Sequence, residues 1–194
     1  MNTTRSDHTD YLVHWTKGTI EEAFDSLASI AIDEEIRGGK FGVRSGENCI
    51  CFSEAPVDCF HERTGAFKPF GIRVSKKWLF SLGGRPVIYQ PAHEYYLLPA
   101  DLAWRHVDYD LAGVKKRDYS WQREWRIRQD SLYLPLEQVT LIIPDEKYRE
   151  ELKHRFFDEN YVRGLALCDP YGYGMGYPAE PTSAGEYRVE TIQS

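Results

Sequence analysis

The chain has 194 residues, 42% of them hydrophobic and including 9 Phe, 5 Trp and 13 Tyr, which suits one folded domain and argues against disorder throughout. Its 30 acidic and 24 basic residues leave a net charge of −6, a poor basis for non-specific nucleic-acid binding, which draws on clustered Lys and Arg. No window approaches the roughly 18 uninterrupted apolar residues of a membrane span, so no membrane association is expected. The opening MNTTRSDHTDYLVHW lacks a signal-peptide layout. Cys49, Cys51, Cys59 and Cys168 form no CxxC pair. A reduced, cytoplasmic protein with free thiols is the expectation.

Residues 1–10 are polar and read as loose. YLVHWT predicts a strand with Tyr11, Val13 and Trp15 on one face and Leu12, His14 and Thr16 on the other. Thr19 is placed to cap a helix, with Glu21 and Glu22 favourable in the first turn. Ala23, Phe24, Leu27, Ile30 and Ala31 form its apolar stripe, and Gly38-Gly39 is the expected stop. NCICFSEAP predicts a second strand ending at Pro56, FKPFGIRVSK a third, KKWLFSL a short helix and RPVIYQ a fourth strand. Residues 94–111 give no clear period. Residues 120–129 alternate strictly and predict a strand, VTLIIP another, and DEKYREELKHRFF a helix. LALCDP reads as the last strand, and the Gly- and Pro-rich 169–194 reads as irregular. Early strands with few helices and late clustered strands argue for an α+β domain over 11–168 rather than a doubly wound sheet.

No P-loop, GxGxxG after a strand, HExxH or GxSxG is present. The six histidines have no metal spacing. YGYGMG follows no strand-to-helix signal, and nothing orders Cys59 and His61 as a nucleophile pair. SWQREWRI is the informative segment. As a strand it would put Trp121, Arg123, Trp125 and Ile127 on the core side, and Gln122, Glu124, Arg126 and Arg128 opposite. An acid flanked by arginines is commonly a surface ion pair. Arginine suits bidentate phosphate contacts, which makes Arg73 and Arg85 candidates to meet a pyrophosphate, but they and the cluster Lys115-Lys116-Arg117 read as solvated surface.

Taken together, HWT, CFSEAP and QRE form a His…Ser…Gln-x-Glu series across an early, a second and a late strand. This order resembles the ADP-ribosyltransferase-like superfamily, and the His-x-Thr opening followed by a helix and glycine is similar to its DarT-type branch. CFSEAP, FKPFGIRVSKKWLFSLGGRPVIYQP and WQREWRI also resemble AbiGi-type abortive phage-resistance proteins. The two resemblances cover roughly residues 11–155.

The resemblance implies a split β-sheet of ADP-ribosyltransferase-like type and NAD as co-substrate. It implies transfer of ADP-ribose to a macromolecular acceptor, protein or nucleic acid, through an oxocarbenium-like state. Glu124 would stabilise the growing positive charge and hold the ribose 2′-hydroxyl, while Gln122 would orient the acceptor or the ribose. His14 would donate to the adenosine-side ribose, Thr16 would serve the phosphates or the strand, and Ser53 would support Glu124 or the nicotinamide ribose. Tyr89, Tyr95 and Tyr96 are open choices for the ring that stacks on nicotinamide. NAD hydrolysis is an alternative on the same fold, and a catalytically silent antitoxin or immunity module is another.

Overall fold

Seven strands form the central sheet of the computed structural model, which describes residues 8–55, 67–156 and 187–192. In chain order the strands among the described residues are β1 Tyr11–Lys17, β2 Glu35–Arg37, β3 Ile50–Ser53, β4 Phe67–Ser75, β5 Arg85–Pro86, β6 Ile88–Gln90, β7 His106–Asp108, β8 Glu124–Ile127, β9 Ser131–Tyr133, β10 Val139–Ile143 and β11 Arg188–Thr191. The sheet runs β11-β10-β4-β1-β3-β8-β5, and β2-β9 and β6-β7 are separate pairs. Among the described strands of the large sheet, β10 and β11 pair in parallel and the other neighbours pair antiparallel. With helices α1 (Ile20–Asp33), α2 (Lys76–Ser81) and α3 (146–156), the class is α+β. No described helix is long and apolar enough to cross a membrane.

Helix α1 starts as its sequence dictates. The Thr19 hydroxyl accepts from Glu22 N at 3.1 Å while Thr19 N donates to the Glu22 carboxylate at 2.8 Å, a reciprocal capping box. Its stripe, Ala23, Phe24, Leu27, Ala28 and Ala31, is buried against one face of the sheet. That face supplies Leu12, Phe52, Phe70, Ile72, Val74, Trp125, Ile127 and Leu141. Each large side chain so buried contributes about 1.5–3 kcal/mol. The helix ends earlier than Gly38-Gly39. Glu34 turns into the left-handed region at φ 54°, and the next three residues leave to pair with β9, with Ile36 opposite Leu132. Burial of Ile36 in the core outweighs the helical continuation that the sequence allowed.

The opposite face carries a smaller cluster of Val13, Trp15, Ala55 and Ile142, with Trp121 and Ile192 against it. Gly71 in β4 is needed there. A Cβ on it would come within 2.7 Å of Val13 Cγ1 and 3.0 Å of Trp15 Cε3.

Three sequence expectations are corrected. The strand expected over 120–129 is only β8, because Ser120–Gln122 forms a 3₁₀ turn and Arg123 adopts φ 46°. The left-handed residue breaks the alternation, so Trp121 and Trp125 pack in different clusters. RPVIYQ is two strands, β5 and β6, in different sheets. Arg188–Thr191, within the segment expected to be irregular, pairs with β10. LALCDP, YGYGMG, Cys59, His61 and Cys168 lie outside the described residues.

Candidate functional site

The sheet parts at its centre. β1 pairs with β4 at six positions but meets β3 at one, Val13 opposite Ser53. Where that ladder stops, the His14 ring takes the carbonyl of Cys51 at 2.8 Å, edge-on to Phe52 with ring centroids 5.7 Å apart. By the pleat of β1, His14 leaves on the side of Leu12, but the gap between β1 and β3 opens it to a cleft of about 910 Å³. Ser53, Gln122 and Glu124 line the same cleft. Four of the five expected site residues therefore meet.

The fifth does not line the cleft. Thr16 is buried, and its hydroxyl donates to Phe70 O at 3.2 Å, fastening β1 to β4 beside the bulge between Trp15 and Lys17. Its role is in the strand.

His14 has a fixed hydrogen-bonding sense. A carbonyl accepts only, so Nδ1 must donate to Cys51 O. Burial lowers the ring's pKa against the opposing effect of that hydrogen bond, which keeps it neutral at physiological pH. A neutral ring donating from Nδ1 presents Nε2 as an acceptor. His14 can thus take a hydrogen from a ligand hydroxyl, where the sequence reading had it donate.

Ser53 acts on the turn before β8. Its hydroxyl donates to Gln122 O at 2.5 Å and accepts from Ala55 N at 3.2 Å. Glu54 N and Ala55 N also donate to Arg123 O and Gln122 O. These bonds hold the Gln-Arg-Glu turn against the end of β3, so Ser53 positions Gln122 and Glu124.

Glu124 is deeper than an exposed acid. Its side chain retains 14% exposure and that of Arg126 only 4%, with Arg126 Nε 2.7 Å from Glu124 Oε1. The remainder of the guanidinium is spent on backbone: Nη1 donates to Trp104 O and His106 O, both at 3.0 Å, and Nη2 to Gly42 O at 3.1 Å. Arg126 thereby ties β8 to the loop at Gly42 and to β7. The Cys51 thiol also bonds to Glu124; burial first, and then that carboxylate, push its pKa up to about 12. Cys51 is a protonated donor, not a nucleophile. Cys49 is likewise a free thiol, buried and raised in pKa by desolvation.

None of the three tyrosines left open for stacking lines the cleft. Tyr89 Oη accepts from Glu124 N at 2.9 Å, and burial pushes its pKa up to about 12. Tyr95 lies against His106 and beneath Arg44, and Tyr96 packs on Tyr95. The exposed aromatics lining the cleft are Phe41, at 93% exposure, and Tyr119.

Sequence reasoning also missed the cleft's charges. Asp108 accepts from Arg44 at 3.0 and 3.2 Å and from Arg117 at 2.9 Å. Lys17, Arg44, Arg117 and Arg126 line the cleft against Asp108 and Glu124, a cationic balance. Gly42 and Gly46, both at positive φ, shape the loop that brings Phe41 and Arg44 in. Paired glycines around an aromatic and an arginine in KFGVRSG were the available signal. Arg85 lies outside, over the Phe80 ring and donating to Phe80 O and Gly84 O.

The motif pieces behind the resemblance meet at Glu54. Its carboxylate takes Lys76 Nζ and Trp125 Nε1, each at 2.7 Å, joining FSEAP, VSKKW and REW in one partly buried knot. Part of that resemblance therefore sits on residues that hold the sheet together. No family model, no curated protein and no solved structure matches this chain.

Proposed function

We propose that the chain is an ADP-ribosyltransferase-like enzyme that moves ADP-ribose from NAD to a macromolecule, as a toxin or phage-defence effector. The observation that carries this reading is the convergence of His14, Ser53, Gln122 and Glu124 on one cationic cleft at the point where β1 and β3 part. In this scheme the bond between C1′ of ribose and the nicotinamide nitrogen breaks, and its electron pair leaves with nicotinamide. Glu124 stabilises the positive charge on the ribose, an electrostatic effect that is strong when the group is held in place beforehand. The acceptor nucleophile adds at C1′ and gives its proton to Glu124. Gln122, a neutral amide, orients the acceptor and takes no proton. His14 Nε2 accepts from a ribose hydroxyl, Arg44 and Arg117 face the diphosphate, and Phe41 and Tyr119 supply flat surfaces for the rings.

One observation favours a second reading, a silent antitoxin or immunity module. Arg126 compensates the charge of Glu124 at 2.7 Å. Nicotinamide release by the purified chain, with and without candidate acceptors, decides between them. Under the enzymatic reading Glu124→Gln cuts turnover by at least ~10²-fold. Turnover unchanged in that variant refutes the role of Glu124. A wild type that binds NAD but releases no nicotinamide is the silent module. Release without labelling of any acceptor is hydrolysis.

A further inference from the structure

A second cavity of about 500 Å³ opens on the side of the sheet that Glu124 faces, toward the other edge. The ladders define its place. Glu124 is opposite Ser53, Ser53 opposite Val13, Val13 opposite Arg73, Arg73 opposite Thr140, and Thr140 opposite Arg188. Directly paired residues project to the same side, so this is one row running from β8 to β11. At roughly 4.8 Å per strand, Arg73 lies about 14 Å and Arg188 about 24 Å along the row from Glu124. Val13, which lines the first cleft and not the second, stands in the row between Ser53 and Arg73.

Three elements each bring an arginine to this cavity: Arg73 from β4, Arg149 from α3 and Arg188 from β11. Arg73 is the most constrained. Its guanidinium lies 4.9 Å from the Tyr11 ring centroid, and Nη2 reaches Glu190 at 2.5 Å. Its Nε is buried and has no acceptor. A buried N–H without an acceptor costs free energy and calls for an explanation. Arg188, two strands along the row with Thr140 between, makes no ion pair among the described residues, whereas Arg149 is held by Glu146 at 2.8 Å. The carboxylate on Arg73 comes from Glu190, a half-exposed residue on the edge strand β11.

We infer that this cavity is a second anion site, which takes a phosphate group on Arg73 and Arg188, and that Glu190 occupies the phosphate position when no ligand is bound. Guanidinium groups suit phosphate oxygens through paired N–H donors. A phosphate offers more acceptor oxygens than the Glu190 carboxylate, enough to serve Arg188 as well as Arg73. The site does not depend on NAD chemistry, since it contains neither Glu124 nor His14.

Calorimetric titration of the full chain with inorganic pyrophosphate at low salt tests this, with ADP as a second titrant. With Arg44→Gln and Arg117→Gln in every protein titrated, to remove diphosphate binding by the other cleft, Arg73→Gln and Arg188→Gln are each expected to weaken pyrophosphate binding at least tenfold, while Arg85→Gln, which lines neither cavity, leaves it in place. Glu190→Gln removes the competing carboxylate and is expected to strengthen binding roughly 2- to 5-fold, the scale of a partly exposed ion pair. Tighter binding of ADP than of pyrophosphate identifies a nucleotide as the source of the phosphate, and equal binding identifies the bare anion. Binding that survives both Arg73→Gln and Arg188→Gln, weakens in Glu190→Gln, or is absent from the wild type overturns the assignment. Nicotinamide release is read separately, so loss of one result leaves the other intact.

Discussion

Arg126 is the residue whose removal tests the architecture of the cleft most directly. In Arg126→Met the Glu124 carboxylate loses its cation in a setting where little of it meets water. Breaking a buried pair from one side costs about 3–5 kcal/mol, because the remaining charge is uncompensated. The carbonyls of Gly42, Trp104 and His106 lose their donors as well. At about 0.5–1.5 kcal/mol for each hydrogen bond, that adds roughly 2–4 kcal/mol. The sum, roughly 5–9 kcal/mol, is comparable with the ~5–15 kcal/mol that holds a typical domain folded. Arg126→Met is therefore expected to be barely folded.

Arg126→Lys keeps the charge but cannot reach four acceptors, one on β8, one on β7, one at Trp104 and one on the loop at Gly42, and a loss of about 2–4 kcal/mol is expected from the unmade bonds. The double change Arg126→Met with Glu124→Met removes both charges and should recover about 3–5 kcal/mol relative to Arg126→Met. It does not recover the carbonyl contribution. Urea unfolding followed by circular dichroism gives each value, with equal slopes required for the comparison. The reasoning is refuted if Arg126→Lys costs under ~1 kcal/mol, or if the double variant is no more stable than Arg126→Met. Glu124→Gln keeps an oxygen toward Arg126 Nε and should cost about 1–2 kcal/mol. That is more than a surface acid would cost, so activity must be compared at matched folded concentration.

Gly71→Ala should cost about 1–3 kcal/mol by crowding Val13 and Trp15, and a thermal melt indistinguishable from wild type would show that the cluster gives way freely. Glu54→Ala leaves Lys76 and the Trp125 indole without their acceptor, and about 2–3 kcal/mol of lost stability in urea is expected; a neutral result would remove Glu54 from the framework. His14 and His106 both have pKa values lowered from 6.5, burial being the largest cause. The unfolded chain then binds protons that the folded one refuses, so stability is full above about pH 6.5 and falls with pH toward the folded-state values. Each histidine contributes at most about 1.4 kcal/mol per pH unit. His14→Asn should flatten the slope of stability between about pH 6.5 and 5, and an unaltered slope would show that His14 is not held neutral.

The parts of the fold that were legible in the sequence are those where local chemistry and tertiary packing agree. Thr19 with Glu22 capped a helix because both hydrogen bonds are made within four residues. Val13 and Trp15 alternate with Leu12 because β1 is covered on both faces. The misreadings have physical causes. Arg123 has no composition signal for a left-handed backbone; the turn is imposed by Ser53 and by the backbone donors of Glu54 and Ala55, remote in sequence. β11 was hidden because a short strand at the edge of a sheet takes half its definition from β10. Of the site, the motif residues on strands were visible, whereas Phe41, Arg44, Asp108, Arg117 and Tyr119 come from loops and short elements whose meeting depends on the fold.

Arg126 also explains why one residue type can support two opposed functional readings. A guanidinium with four of its N–H groups engaged is rigid, and it fixes the carboxylate it touches. Rigidity is what electrostatic stabilisation of a cationic transition state needs, since a carboxylate that must reorganise loses much of its advantage. The same guanidinium brings a positive charge within 2.7 Å of that carboxylate and reduces the field it exerts on a ligand. The balance turns on geometry: three carbonyl dipoles, those of Gly42, Trp104 and His106 around Nη1 and Nη2, spread the guanidinium's charge away from the carboxylate at Nε. If that spreading dominates, Glu124 acts on a ligand as an ionised acid held in place. If it does not, the cleft is a neutral floor with cationic walls, fit to bind a dinucleotide and leave it whole. NAD affinity and nicotinamide release, measured on the same preparation, separate these two states of one ion pair.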